Sequence, residues 1–386
     1  MVWFFVSFLL LYGGCHAYLF QKIRGAFPLG TGGQVFLGLL FALFVFLPFL
    51  IRVTEQSGLE TLAHLFAYLA YVWGGVILLF VAASLLVDGY HGILRLGTMV
   101  LRNDLAALRL SPRYGFLVPL AAAAAINAYG FLEAWNIRTE RLVFRSDKIP
   151  ATIGRIRIAQ ISDVHIGMMV GPKRLARMLE RVRQANPDLV VSTGDLVDGQ
   201  PDSLRESLPL LRDLRPRYGK YAVTGNHEYY AGLDEAIAFT QEGGFHVLRG
   251  QGVVAAEGLN LVGVDDRTGR QFAGGRFVSE RAVLAGMPEG HFTILLKHRP
   301  EVDPEAVGRF DLQLSGHTHQ GQIFPFSIFT RLFFAYHAGL HPLAAGAHLY
   351  VNRGTGFWGP PVRFLAPPEV TVIDLVSAVP APKGSP

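Results

Sequence analysis

The sequence predicts an α/β domain preceded by an α-helical membrane domain. Two observations predict it. Four long apolar runs precede residue 136, and from Ile153 onward short β-type runs alternate with helical stretches. The composition agrees with a membrane portion: 51% of the 386 residues are hydrophobic and 17% are charged.

The apolar runs lie near Val2–Phe20, Val35–Ile51, Leu62–Leu86 and Phe116–Ala134. Each approaches or exceeds the ~20 residues that cross hydrocarbon as a helix. The predicted membrane domain is therefore residues 1–135, with about four spans. None carries a charge at its centre, and Asn127 is the one clearly polar residue deep in a span. A helix–helix hydrogen bond explains it as well as a function does. The first run lacks a basic leading segment, so it reads as an uncleaved helix rather than a signal peptide. Cys15 is a weak lipoprotein candidate, because Tyr12 stands where that signal wants an aliphatic residue. As the single cysteine, it also excludes an intrachain disulfide and a Cys-rich zinc site.

Short loops set the expected topology. Lys22 and Arg24 follow the first run; Arg95, Arg102, Arg109 and Arg113 lie between the third and fourth, against Asp88 and Asp104. The positive-inside bias puts both loops in the cytoplasm. The protein then reads as a multi-pass integral membrane protein with its C-terminal domain periplasmic or extracytoplasmic. The stretch Tyr90–Leu110, with Arg95, Arg102 and Arg109 seven apart, reads as an amphipathic helix on the membrane surface or as a plain connecting helix. Basic and acidic residues nearly balance after residue 135, 28 against 25, so nucleic acid is not the expected main partner.

Residues 136–150 are charged, carry no long apolar run, and read as a linker. The α/β domain follows over 151–376. Its candidate strands are Arg155–Ile161, Leu189–Ser192, Tyr221–Thr224, Asn260–Val264, Phe292–Leu296, Leu312–Leu314, Leu349–Val351 and Val370–Leu375. Its candidate helices are Lys173–Asn186, Ser203–Leu214, Asp234–Glu242 and Ser279–Ala285. The tail 377–386 is rich in Pro, Ala, Gly and Ser and reads as disordered.

Five motifs sit where candidate strands give way to turns. They are Asp163-Val164-His165, Gly194-Asp195, Gly225-Asn226-His227-Glu228, Lys297-His298 and Gly316-His317-Thr318-His319. Singly, each has a bland reading: a Gly-Asp pair is usually a turn, and a lone His is usually a satisfied one. His246, His291, His337, His341 and His348 stay in that class. Together the five offer hard oxygen ligands and imidazoles from separate strand ends, which is what two divalent cations require. One carboxylate, as at Asp195, can bridge two metals.

As a set, these motifs resemble those of the calcineurin-like metallophosphoesterase superfamily. The segments Gln160-Ile161-Ser162-Asp163, Gly263-Val264-Asp265-Asp266, Gly316–Gln322 and Pro361-Val362-Arg363-Phe364 resemble its membrane-associated branch, typified by YkuE and YaeI. The resemblance covers about Leu142 to Leu375. It implies a four-layer α/β/β/α sandwich with the site at strand C-terminal ends. It implies that Asp163, His165 and His319 hold one metal, that Asn226, His298 and His317 hold a second, and that Asp195 bridges them. The implied reaction is phosphoester hydrolysis through a metal-bridged hydroxide. Asp195 and His227 are the catalytic candidates, with His227 near the leaving group. The resemblance ranks manganese first for the two divalent ions, with iron, zinc or magnesium as alternatives. Glu228 reads as a helix N-terminal residue or a support for the ligands, the former favoured. Asp198 reads equally as a ligand-orienting group or a solvated turn.

The segment Ile323–Tyr336 follows the last motif and is unusually aromatic. It reads either as core packing or as an apolar flap touching the bilayer or an acyl chain. On the second reading the substrate is a lipid-linked phosphoester or pyrophosphate, or another envelope substrate, and the bilayer itself is a partner. The alternative enzyme acts on small soluble phosphodiesters, with the spans as a simple anchor. A non-enzymatic membrane sensor or scaffold ranks third.

Overall fold

A computed structural model describes residues 2–199, 201–272 and 278–379; of these, the side chains of residues 2–5 and 201–203 are not considered. The chain divides into two compact units, Met1–Leu132 with Gly359–Val362, and Glu133–Trp358 with Arg363–Pro386.

The first unit is built on helices Val2–Ala26 (α1), Thr31–Gln56 (α2), Glu60–Leu101 (α3) and Pro112–Trp135 (α4), the last turn of α4 counting with the second unit. Among the described residues, three stretches are long and apolar enough to cross a membrane: Thr31–Gln56, Glu60–Leu101 and Ala106–Trp135. The first expected span, 2–20, is helical within α1 but is not among these three. The expected helix Tyr90–Leu110 is corrected. Residues up to Leu101 continue the 42-residue α3, and the chain breaks at Arg102, which is left-handed with φ 53°. At 1.5 Å per residue α3 is about 63 Å long, roughly twice the hydrocarbon thickness. Arg95, Arg102 and Arg109 therefore do not share a helical face.

The second unit carries the strands. In chain order they are Arg138–Ser146 (β1), Arg155–Ile161 (β2), Ile166–Gly167 (β3), Leu189–Ser192 (β4), Val197–Asp198 (β5), Lys220–Ala222 (β6), His246–Val247 (β7), Gln251–Ala256 (β8), Leu259–Gly263 (β9), Phe292–Leu296 (β10), Leu312–Ser315 (β11), Gly339–Pro342 (β12), His348–Val351 (β13) and Glu369–Ser377 (β14). One six-stranded sheet runs β1-β14-β2-β4-β6-β7, and the other β12-β13-β11-β10-β9-β8; β3 and β5 form a small parallel pair. β2, β4, β6 and β7 are mutually parallel, as are β9, β10, β11 and β13.

Side-chain alternation along these strands builds the layers. Ile156, Ile158, Leu189, Val191, Ile373 and Leu375 face Leu259, Leu261, Ile294, Leu296, Leu312 and Leu314 in one core between the sheets. The opposite face of the first sheet, with Ala159, Ile161 and Val190, packs on helices Pro172–Ala185 (α5), Leu208–Arg212 (α6) and, past Asn226–Ala231 (α7), Leu233–Glu242 (α8). The opposite face of the second sheet packs Val262 and Leu295 on Leu284 of helix Glu280–Ala285 (α9) and on Phe310. This is the expected four-layer α/β/β/α sandwich.

One segment differs from expectation. Residues 136–150 are not a linker: β1 occupies most of them and pairs in parallel with β14 over Arg138–Ser146. β1 is an edge strand of alternating exposure, with Leu142 and Phe144 turned to the inter-sheet core. Its outward polar residues dilute the apolar signal that marks a buried strand. At the other end, Ser377 closes β14, and residues 380–386 of the expected tail lie outside the described residues.

Leu179 of α5 is fully buried against the first sheet. Leu179→Ala is expected to cost about 2–5 kcal/mol through lost transfer energy and the cavity left behind. Thermal denaturation of the detergent-purified protein checks this; an unchanged Tm would contradict the packing.

Candidate metal centre

Every motif singled out in the sequence follows a parallel strand at its C-terminal end. Asp163 and His165 follow β2, Asp195 follows β4, Asn226 and His227 follow β6, His298 follows β10, and His317 and His319 follow β11. The chain must turn sharply there, and five of these residues take the left-handed backbone: Asp163 (φ 51°), His165 (54°), Asp195 (51°), His317 (73°) and His319 (48°). Each such residue costs of order 1–3 kcal/mol unless its surroundings impose it. Here they do. The Asp163 amide donates to Gly194 O at 3.0 Å, the His165 amide to Asp195 O at 3.0 Å, and the His317 amide to the Asp163 carboxylate at 3.0 Å. Gly194 is itself at φ 95°, and a Cβ there would lie 2.7 Å from His298 Nδ1. At Gly316 a Cβ would collide with Ser162 Oγ and the Asp163 carboxylate. These two glycines let the two sheets' turns close on one point.

The donor atoms converge there. His165 Nε2 lies 3.1 Å from His319 Nε2, which is 3.5 Å from Asp163 Oδ1. His298 Nε2 lies 3.2 Å from Asp195 Oδ2, 3.2 Å from Asn226 Oδ1 and 3.0 Å from His317 Nδ1. Asp195 Oδ2 is also 3.9 Å from His165 Nε2. Among the described residues, three overlapping groups could hold metal: Asp163, His165 and His319; His165, Asp195 and His227; and Asp195, His298 and His317. The seven residues expected as ligands lie close together; His165 and Asp195 are each common to two groups, and Asn226 joins through His298.

Burial and mutual charge set the protonation of these residues. Burial pushes Asp163 up to about 6. Burial opposes ionisation of Asp195 too, but the surrounding histidines, His298 first, hold its carboxyl well below the usual range. His298 is raised to about 10, burial being outweighed by the Asp195 carboxylate. Burial and the positive neighbours lower His165 to about 4 and hold His317 and His319 well below 6.5. The donor set fits a divalent cation. Two neutral imidazoles meeting Nε2 to Nε2 share at most one proton, whereas a cation satisfies both lone pairs. Buried carboxylates beside them supply the compensating charge.

His227 stands beside these groups. Its Nδ1 lies 2.7 Å from Asp198 Oδ1, and its backbone amide donates to Asp195 Oδ1 at 2.8 Å. Burial lowers it, but Asp195 and Asp198 together raise it to about 9. Its ring packs 4.6 Å from that of His165, 5.5 Å from Tyr230 and 6.0 Å from Trp358. Asp198 is thus engaged by His227 rather than left in a solvated turn. Glu228 does stand in the first turn of α7, but its carboxylate does more than cap. It is buried and accepts the amides of Asp195 (3.1 Å), Leu196 (2.7 Å), Val197 (3.1 Å) and Gly225 (2.7 Å).

Two arginines had no role in the sequence reading. Arg363 is fully buried; its guanidinium donates to the carbonyls of His319, Arg353, Gly354, Gly356 and Ala366 and meets His319 Nδ1 at 3.1 Å. The segment Pro361–Phe364 is distinctive in sequence, but nothing local says where Arg363 points. Arg299 follows His298 directly and meets His317 Nε2 at 2.8 Å. Of the histidines set aside, His291, His337 and His341 hydrogen-bond Asn260, Thr330 and Ala338.

Apart from buried Ile323, the aromatic segment 323–336 is not core. It forms helix Phe326–Phe333 (α10), which has no buried residue. Phe326, Ile328 and Phe329 are about half exposed, and Leu332 and Phe333 are 78% and 81% exposed. Just beyond, the Phe334 ring lies 5.3 Å from that of His317.

Buried carboxylate, amide and imidazole donors gathered at the C-terminal ends of two packed sheets define a metal-dependent hydrolase. Comparison with known proteins agrees. The Calcineurin-like phosphoesterase family matches residues 156–321. An uncharacterized metallophosphoesterase of Aquifex aeolicus is 38% identical over 255 residues, 66% of this chain and 97% of that protein. YkuE of Bacillus subtilis, also an uncharacterized metallophosphoesterase, is 34% identical over 283 residues, covering 68% and 96%. The Danio rerio transmembrane protein with metallophosphoesterase domain is 32% identical over 282 residues; the chain spans 63% of its length. The chain belongs to the calcineurin-like metallophosphoesterases and is a phosphoester hydrolase.

Glu228→Ala would leave the amides of residues 195–197 and 225 without their acceptor. Each unpaired buried amide costs about 1–3 kcal/mol. The expected result is a lower Tm together with loss of bound metal, read by elemental analysis, and Glu228→Gln should fall between. Full metal content in Glu228→Ala would contradict this clamp.

Proposed function

We propose that the protein is a membrane-anchored, two-metal phosphoesterase that cleaves lipid-linked phosphoesters or pyrophosphates at a bilayer surface. The observation that carries the lipid assignment is α10, an apolar helix with no buried residue. It lies immediately after His317 and His319, in a chain whose described residues also include three helices apolar enough to cross a membrane. Such a surface costs free energy in water and gains it in lipid.

Asp163, His165 and His319 would hold one cation, Asn226, His298 and His317 the other, and Asp195 both. Manganese is the first candidate by resemblance. When bound, such ions lower the pKa of water and neutralise charge on phosphoryl oxygens. The chain's own residues supply the rest. Asp198 engages His227 at Nδ1, which leaves Nε2 to pass a proton to the departing oxygen. Glu228 holds the turn that presents Asp195. Trp358 and Tyr230 flank His227 and limit water beside the leaving group.

The proposed orientation is extracytoplasmic. The loop between α3 and α4 carries Arg102 and Arg109 against Asp104, and Arg113 opens α4. A basic loop stays in the cytoplasm, and α4 then crosses once before β1. That orientation is the same whether or not α1 crosses.

Asp195→Asn is expected to abolish metal-dependent hydrolysis without unfolding the protein. His227→Ala should lower turnover by about 10²–10⁴-fold with metals still bound. Circular dichroism, elemental analysis and a chromogenic phosphodiester assay separate these outcomes, and full activity in Asp195→Asn would sink the two-metal assignment. Replacing Phe326, Phe329, Leu332 and Phe333 with Ser should weaken hydrolysis of a lipid-linked pyrophosphate in vesicles about tenfold or more, sparing a soluble aryl phosphodiester. Equal loss on both substrates would count against the lipid reading.

A further inference from the structure

Basic and acidic residues nearly balance after residue 135, but α5 does not share that balance. It carries Lys173, Arg174, Arg177, Arg181 and Arg183 against Glu180 alone. Lys173, Arg177 and Arg181 are four apart and so form one stripe along the helix. Met178, Leu179 and Val182 turn the other way, into the core against the first sheet. Lys173 and Arg177 are exposed. The acid of the helix is engaged elsewhere: Glu180 accepts from Gln184 at 3.1 Å.

This stripe begins where the chain leaves its last apolar helix. The stretch Ala106–Trp135 is apolar enough to cross a membrane, and Trp135 ends it. Arg174 is buried and donates to the carbonyl of Ala134. Its guanidinium lies 4.9 Å from the ring centre of Trp135 and 4.2 Å from that of Phe357. A cation on the last carbonyls of a helix also complements the helix dipole. Arg174 thus fixes the first turns of α5 beside the end of α4. Arg177 reaches the same place, 5.7 Å from the Trp135 ring.

Tryptophan at the end of a span sits at the headgroup layer of a bilayer. Cations beside it are then within a Debye length of any anionic headgroup. The same contact leads on to the metal centre. Phe357, against Arg174, is followed by Trp358, which is 55% exposed and has its ring 6.0 Å from that of His227. Gln322 holds the Trp358 backbone at both its amide (2.9 Å) and its carbonyl (2.8 Å). The basic stripe and the His227 side of the centre therefore adjoin one another.

We propose that Lys173 and Arg177, beside Trp135, form a docking face for anionic phospholipid headgroups. The face holds the catalytic domain down on the bilayer, with the His227 side of the centre close to the headgroups. This rests on the membrane-anchored reading above, and it is independent of α10. A neutral headgroup layer suits Trp135 but gives the two cations no countercharge. Each cation at an anionic surface strengthens the contact about fivefold.

The test compares full-length protein in nanodiscs of phosphatidylcholine with protein in nanodiscs that also contain phosphatidylglycerol. Hydrogen exchange of amides 173–178 should be about 5–30-fold slower in the anionic discs, and high salt should remove the difference. Lys173→Gln with Arg177→Gln should exchange alike in both discs. Arg183→Gln with Arg215→Gln removes the same charge from other exposed positions, Arg183 being turned to the Leu210 carbonyl at 3.5 Å. That pair should behave as the wild type. Equal exchange of the wild type in the two discs would overturn the proposal. So would the same loss in both double variants, since net charge alone would then explain it. Failure of the anchored reading would appear instead as release of the protein from membranes by alkaline carbonate. Failure of the lipid-substrate reading would appear only in the α10 variants, leaving the exchange difference intact.

Discussion

The centre depends on the way Glu228 holds the turn at Asp195. Its buried carboxylate collects amides from residues 195, 196, 197 and 225, from the ends of two neighbouring strands. That fixes Asp195 in a left-handed conformation it would not adopt alone, with its carboxylate reaching both histidine groups. A buried carboxylate with four amide donors is stable because every lone pair has a partner in a low dielectric. Without that clamp His165, after β2, and His298, after β10, would lose the carboxylate that both approach.

The second constraint is the packing of two sheets with their site-bearing strand ends together. The apolar core between them sets their separation, and polar ties then set the register near the centre. Gln160 is fully buried on β2 and donates to Thr193 and to the Ser315 carbonyl, one contact in each sheet. Small residues at Gly194 and Gly316 permit the close approach that follows. Rigid strands thus hold the donor side chains, while short turns aim them. The left-handed residues are the local cost of that aim.

Around the centre, the surface changes character from one side to another. Beyond His317 lies Phe334 and then α10, which presents its aromatic residues to the surroundings. Beside His227 stand Asp198, Tyr230 and Trp358. Next to His317, on its other nitrogen, stands the Asp266–Arg299 pair. The centre thus borders an exposed apolar helix on one side and polar, charged side chains on the others.

The sequence by itself determined the class of domain, the existence of an apolar helical portion, and the identity of the ligand-type side chains. Buried parallel strands such as Leu189–Ser192 and Phe292–Leu296 are continuous apolar runs, and the chemistry sits in the turn after each, so both are legible along the chain. β1 was not legible, because an edge strand that satisfies one neighbour and faces water on the other side reads as a charged linker. Nor was the fate of Ile323–Tyr336, since apolar residues look the same whether a core covers them or nothing does. Only the tertiary structure decided the roles of Glu228, Asp198, Arg299 and Arg363. Each acts on a residue far away in the chain or on a direction of a side chain, and neither distance nor direction is written in local spacing. A contact between Arg363 and His319 crosses 44 residues, and the hydrogen bond from the Asp195 amide to Glu228 crosses 33. The fold alone brings such partners within 3 Å or so of one another.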